Sequence, residues 1–82
     1  MLEVIVTPSD LGQVVRRTRK ALGLTQPQLA LASGVGVRFI VDLEAGKPTV
    51  RLEHVLRVLQ SLGLTPAICD LPDVHQAPGS GP

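Results

Sequence analysis

Aromatic side chains are almost absent from these 82 residues: Phe39 stands alone, without a single tryptophan or tyrosine. Val, Leu and Ile must therefore fill the interior. A chain of this length buries only a modest fraction of its surface, so one domain is expected, supplemented by burial against a second copy. Cysteine is as scarce. A lone Cys69 excludes an internal disulfide framework and fits a reducing compartment. No apolar run approaches the ~20 residues of a membrane span, and no signal peptide is legible, so a cytoplasmic location and no membrane partner are expected. Of the two histidines, His54 falls on the polar arc of its helix and His75 near the C-terminal end, neither beside a nucleophile. No Cys/His spacing suits zinc, and no Gly-rich loop follows a strand to cradle phosphate. These absences point away from an enzyme and from any metal or cofactor.

Charge is small in sum and uneven in place. The net value is +1, yet residues 11–51 carry Arg16, Arg17, Arg19, Lys20, Arg38, Lys47 and Arg51 against Asp42 and Glu44, a surplus of +5. The flanks hold Arg57 against Glu3, Asp10, Glu53, Asp70 and Asp73, a deficit of −4. Either a basic face for a polyanion or chance asymmetry of a solvated surface gives this pattern.

The central stretch TQPQLALASGVGVRFIVDLEAG, Thr25 to Gly46, reads as two short helices about a tight turn. Thr25 and Gln28 match a capping box, in which each side chain satisfies the other residue's free amide. Gly34 suits the positive φ of a sharp turn, and Gly36 sits where the next helix needs its cap. At about 100° per residue, Ile40, Leu43 and Glu44 cluster on one side of the second helix while Arg38, Val41, Asp42 and Ala45 point away. That is the layout of a helix-turn-helix whose second helix enters a major groove, or of an ordinary two-helix corner with Arg38 in water.

Around this stretch the chain is mostly helical. Residues 3–6 form a short β-prone run halted by Thr7-Pro8. Thr7 then caps a first helix with Pro8 at its first position and Asp10 at its third. This helix runs to about Leu22, with Leu11, Val14, Val15, Thr18 and Leu22 on one stripe and Gly23 as its stop. Arg16, Lys20 and obliquely Arg17 lie opposite. A last helix over Arg51–Leu62, with Thr49 a candidate cap and a further turn conceivable over Pro48–Arg51, places Leu52, Val55, Leu56, Val58, Leu59 and Leu62 on one arc. Residues 65–71 form a second β-prone run, confined by Pro66 to an edge or a strand start. Residues 72–82, rich in Pro, Gly and Ser, read as a disordered tail.

The order LGQVVRRTRKALGLTQPQLALASGVGVRFIVDLEAGK resembles the Cro/C1-type (XRE) helix-turn-helix domain of phage repressors and bacterial regulators. The landmarks are Leu-Gly and spaced arginines, Gly-Leu-Thr-Gln, Ser-Gly-Val and Ile-x-x-Leu-Glu-x-Gly-Lys. The end LRVLQSLGLTPAICDL is similar to that of HipB-type antitoxins, in which a core helix is followed by a strand with a Cys-Asp pair. The resemblance implies an all-α domain of four to five helices over residues 1–71. Short terminal strands would pair across a homodimer through Ala67, Ile68, Cys69 and Asp70. It also implies an antitoxin that binds double-stranded operator DNA, represses its own operon and holds a HipA-like kinase toxin inactive. Carried over by position, the DNA contacts would be Arg16, Gln26, Gln28, Val37, Arg38, Phe39, Asp42 and Lys47. Among these, Gln26 and Lys47 would meet phosphate and Val37, Arg38 and Asp42 would meet base edges. Asp42 would accept from a cytosine amino group or merely orient Arg38, and Phe39 stays between groove contact and packing. Arg19 and Glu44 fall at a family ion pair. The rivals are a stand-alone repressor and a protein-interaction module that binds no DNA.

Overall fold

The computed structural model describes residues 2–70, so Leu71 and the tail assigned to residues 72–82 lie outside the described residues. Four helices follow in order: α1 (Pro8–Ala21), α2 (Gln26–Ser33), α3 (Val37–Glu44) and α4 (Leu52–Ser61). The fold is all-α. The first helix starts where its capping box requires: Thr7 Oγ1 accepts the Asp10 N–H at 3.1 Å, and Asp10 Oδ2 accepts those of Thr7 at 3.1 Å and Val6 at 3.0 Å. Donation from Val6 first, and from Thr7 next, holds the Asp10 carboxyl below its ordinary value, because both bonds favour the ionised form. Thr25 and Gln28 repeat the device on α2, at 3.1 and 2.8 Å.

A single core unites the helices. Val15 of α1, Leu29 and Ala30 of α2, Ile40 and Leu43 of α3, and Val55, Val58 and Leu59 of α4 are buried together with Leu62, and Leu11, Val35, Phe39, Val50 and Leu64 pack around them. Helix α3 lies against both α1 and α2, and α4 covers α2. Only Gly fits at position 12. A Cβ there would lie 2.5 Å from the Leu43 carbonyl oxygen and 2.8 Å from that of Glu44, so α1 crosses the end of α3 almost backbone to backbone.

Several sequence expectations shift. The fifth helical turn over Pro48–Arg51 does not form, and the residue capping α4 is Arg51, without a side-chain bond, rather than Thr49. Leu22 is exposed because it is the C-cap of α1 and no longer on its stripe. Leu52 and Leu56 are exposed as well. They stand about 70° and 110° from the centre of the buried arc of α4 at ~100° per residue, beyond the reach of α2. Residues 2–6 and 64–70 carry no strand among the described residues. A strand needs a ladder partner, and neither run finds one within a single chain.

Candidate nucleic-acid interface

The turn between α2 and α3 is built by glycine. Gly34 takes φ 70°, and the Val35 N–H returns to the Ala30 carbonyl at 3.1 Å, closing α2 within two residues. Gly36 then begins α3 with extended backbone and no side-chain cap, so the first amides of α3 are left for an outside acceptor.

What fixes the corner is a polar network beneath it. Arg19, buried on α1, donates from Nε to Glu44 Oε2 at 2.6 Å, from Nη2 to Glu44 Oε1 at 3.1 Å and from Nη1 to the Leu24 carbonyl at 2.7 Å. Gln26, at the first position of α2, donates from Nε2 to Glu44 Oε1 at 3.2 Å. One carboxylate at the end of α3 thus ties α1 to α2, and the Arg19 it holds ties the loop before α2 as well. Such a pair is costly to bury, and its two-pronged geometry with further hydrogen bonds offsets that cost.

Above this network lies an exposed polar face. The Arg38 side chain is 85 % exposed, with Nε 3.3 Å from Asp42 Oδ1, while Lys47 Nζ stands 3.6 Å from Asp42 Oδ2. Asp42, only 21 % exposed, therefore sits between two cations. No hydrogen bond among the described residues engages the Arg38 guanidinium, so its fork is open to an outside acceptor. An open concavity of about 360 Å³ adjoins, lined by Arg16, Arg19, Gln26, Val41, Glu44 and Ala45.

The residues carried over by resemblance divide as follows. Arg38, Asp42 and Lys47 come together, Arg16 and Gln26 share the concavity, and Val37 is exposed at the start of α3. Gln28 commits its oxygen to the cap of α2 and keeps its amide nitrogen. Phe39 is half-buried against the core, its ring 5.2 Å from that of His54 in an edge-on contact at 83°, which gives it a packing role. His54 is accordingly half-buried rather than fully wet. Ala67, Ile68, Cys69 and Asp70 are exposed in the segment after α4. Sequence reasoning had no place for Gly12 beyond a family landmark and set Val41 and Ala45 aside as merely outward. A glycine inside a helix is itself a signal, since it weakens the helix unless a neighbour comes too close for a Cβ.

Two short helices in a glycine turn, the second bearing a free guanidinium fork beside further cations, define a helix-turn-helix DNA-binding domain. Comparison with known proteins agrees. A helix-turn-helix family model, HTH_3, matches residues 15–68. The chain belongs to that family, the XRE-type DNA-binding transcriptional regulators. It is 57 % identical over 63 residues to an uncharacterised HTH-type transcriptional regulator, y4mF, of Sinorhizobium fredii, covering 77 % of this chain and 83 % of that one. Among solved structures it resembles HipB in a HipB–O4 20mer complex, with a TM-score of 0.78 and 29 % identity over 84 % of this chain and 97 % of HipB. HipB in a HipA–HipB–O2–O3 complex gives the same values. The restriction-modification controller protein C.AhdI of Aeromonas hydrophila follows, at TM-score 0.65 and 31 % identity over 71 % of this chain and 88 % of that one. No helix among the described residues is long and apolar enough to cross a membrane.

Proposed function

We propose that this protein is a homodimeric, cytoplasmic antitoxin and autorepressor that reads a palindromic operator and neutralises a HipA-like kinase toxin. The observation that carries the DNA part is the free fork of Arg38, steadied by Asp42 on a helix whose far end is anchored by Glu44. The fork reaches guanine O6 and N7 in the major groove, and Val37 touches a thymine methyl. Asp42 serves chiefly to orient Arg38, since its carboxylate is already shared with Lys47.

Phosphates are met around the rim. Gln26 retains one amide N–H after bonding Glu44, and its backbone N–H heads α2 without an intrahelical partner. Arg16 from α1, the free amide nitrogen of Gln28 and Lys47 after α3 complete the rim. The antitoxin part is supported by the likeness to HipB along 97 % of its length, including a structure that contains HipA. A stand-alone regulator is the second reading, favoured by the likeness to C.AhdI.

The test has two arms. Duplexes selected from a random pool should bind with affinity that falls steeply as salt rises, because phosphate contacts release counterions. Affinity indifferent to salt would exclude the DNA reading. The kinase-like protein encoded beside this gene, where one exists, should co-purify with the chain and lose its activity. A stable kinase that ignores the chain would leave the stand-alone regulator.

A further inference from the structure

The two ends of α3 are held by different means. Its last turn is fixed twice over, by Glu44 bonded to Arg19 and Gln26 and by the close approach of α1 at Gly12. Among the described residues, no polar bond joins its first turn, which carries Val37 and Arg38, to another helix. Gly36 caps that turn without a side-chain bond, and its carbonyl accepts the Phe39 N–H at 3.1 Å and the Ile40 N–H at a longer 3.4 Å. A helix of eight residues is marginal by itself, so the turn depends on what its inward side chains meet. Ile40 is fully buried in the shared core. Phe39 makes a more directional contact. Its ring stands edge-on to the imidazole of His54, 5.2 Å between centroids at 83°, and both residues are half-buried. Helix α3 packs chiefly on α1 and α2, so this pair of rings joins the reading end of α3 to α4.

We infer that His54 is a positioning residue for base reading: through Phe39 it sets the orientation of the first turn of α3 and hence the place of the Arg38 fork. The inference rests on the proposed DNA reading and adds to it a residue of α4 outside the contacts named there. Edge-on rings have a preferred mutual geometry, so a ring at 54 resists the roll and slide of Phe39 that an aliphatic neighbour would permit. Phe39 adjoins Arg38 in the chain, and a guanidinium stands at the end of a long arm. A small roll of α3 therefore becomes a larger displacement of the fork, whereas a binding group must be held to roughly 0.5 Å or 10–20°. Loosening this turn lowers the fraction of chains whose fork is in place, and the apparent dissociation constant rises by the same factor. His54 acts here as a ring, so phenylalanine should replace it.

The experiment compares the full chain with His54→Ala, His54→Phe and Phe39→Leu. Anisotropy gives affinity for the duplex selected from a random pool and for a scrambled version of it, well below the melting temperature, so that global unfolding does not enter. Amide exchange in the DNA-free chain compares Phe39 and Ile40 with Ala45 and Lys47. His54→Ala is expected to weaken binding to the selected duplex roughly two- to tenfold, the worth of one aromatic pair, and to leave the scrambled duplex nearly unchanged. Exchange should quicken at Phe39 and Ile40 and hold at Ala45 and Lys47. His54→Phe should restore selectivity. Adding His54→Ala to Phe39→Leu should cost little more than Phe39→Leu alone, because the two residues act as a unit. A His54→Ala chain that selects as the wild type does would overturn the inference and leave the DNA reading standing. So would an equal loss on both duplexes, which would place His54 on phosphate, or a loss that His54→Phe fails to restore. A wild type that binds both duplexes alike would overturn the base-reading proposal and this inference with it.

Discussion

Arg38 is presented rather than buried, with its Nε 3.3 Å from Asp42 Oδ1. In the proposed complex, replacing the arginine with alanine removes a two-pronged base contact while leaving the buried contacts of the fold untouched. Arg38→Ala is therefore expected to cost about 1–3 kcal/mol of operator binding and to relax selectivity at one base position. Fluorescence anisotropy against an operator and its single-base variants reads both effects, and equal losses on every variant would place Arg38 on phosphate instead. Glu44 is the opposite case, buried and holding three donors. Glu44→Ala strands the Arg19 guanidinium in the interior, a loss of about 3–5 kcal/mol for a pair of this kind. Urea titration measures it. A loss near zero would mean that water reaches Arg19 once its partner is gone. The two residues also differ in how they could be read. An outward arginine at the start of a second helix is visible from a helical wheel. A bond across 25 residues of sequence has no local periodicity, and only family resemblance pointed to it.

Among the elements, α1 and α3 meet where a side chain cannot fit. Alanine favours a helix over glycine by ~1 kcal/mol, so Gly12→Ala would stabilise α1 in isolation. Against this stands a Cβ 2.5 Å from a main-chain oxygen that cannot swing aside. Overpacking of a rigid site costs about 1–3 kcal/mol or more, and the clash should win. Thermal unfolding of Gly12→Ala checks the sign, and a raised melting temperature would show that α3 can move off α1. The cap of α1 adds a pH dependence. The folded Asp10 carboxyl titrates below its ordinary value, so its ionised form stabilises the fold above the unfolded value of ~3.9. That contribution is lost as pH falls through the lowered folded value. Asp10→Asn should flatten the acid limb of a stability–pH curve in that window and leave its shape above pH ~6 unchanged. An unaltered acid limb would assign the acid sensitivity to another carboxylate. The caps at Thr7 and Thr25 and the stops at Gly23 and Gly34 made the helix boundaries legible, because each is a local bonding requirement. The exposure of Leu52 and Leu56 was not legible: periodicity gives a residue's angle on its helix and says nothing of where the neighbouring helix lies.

At the scale of the molecule, one copy offers a single α3, eight residues or about 12 Å long, to a groove of comparable width. Reading a palindrome requires two such helices on the same side of the duplex, set in the proposed dimer by its two-fold axis. Half-sites should then lie about 34 Å apart or a multiple of it, one turn of B-DNA between equivalent grooves. Inserting five base pairs between them rotates one half-site to the far side while leaving every base intact. Because the second contact in a dimer is effectively intramolecular, its loss is expected to weaken binding by on the order of 10²-fold or more, down to that of one half-site. Inserting ten base pairs returns the half-site to the same side, and affinity recovers only if the dimer or the DNA flexes to span the added turn. Gel-shift titration of the three duplexes at one salt concentration makes the comparison. Equal affinity for all three would mean that the copies bind independently, and that the basic face belongs to a monomeric reader.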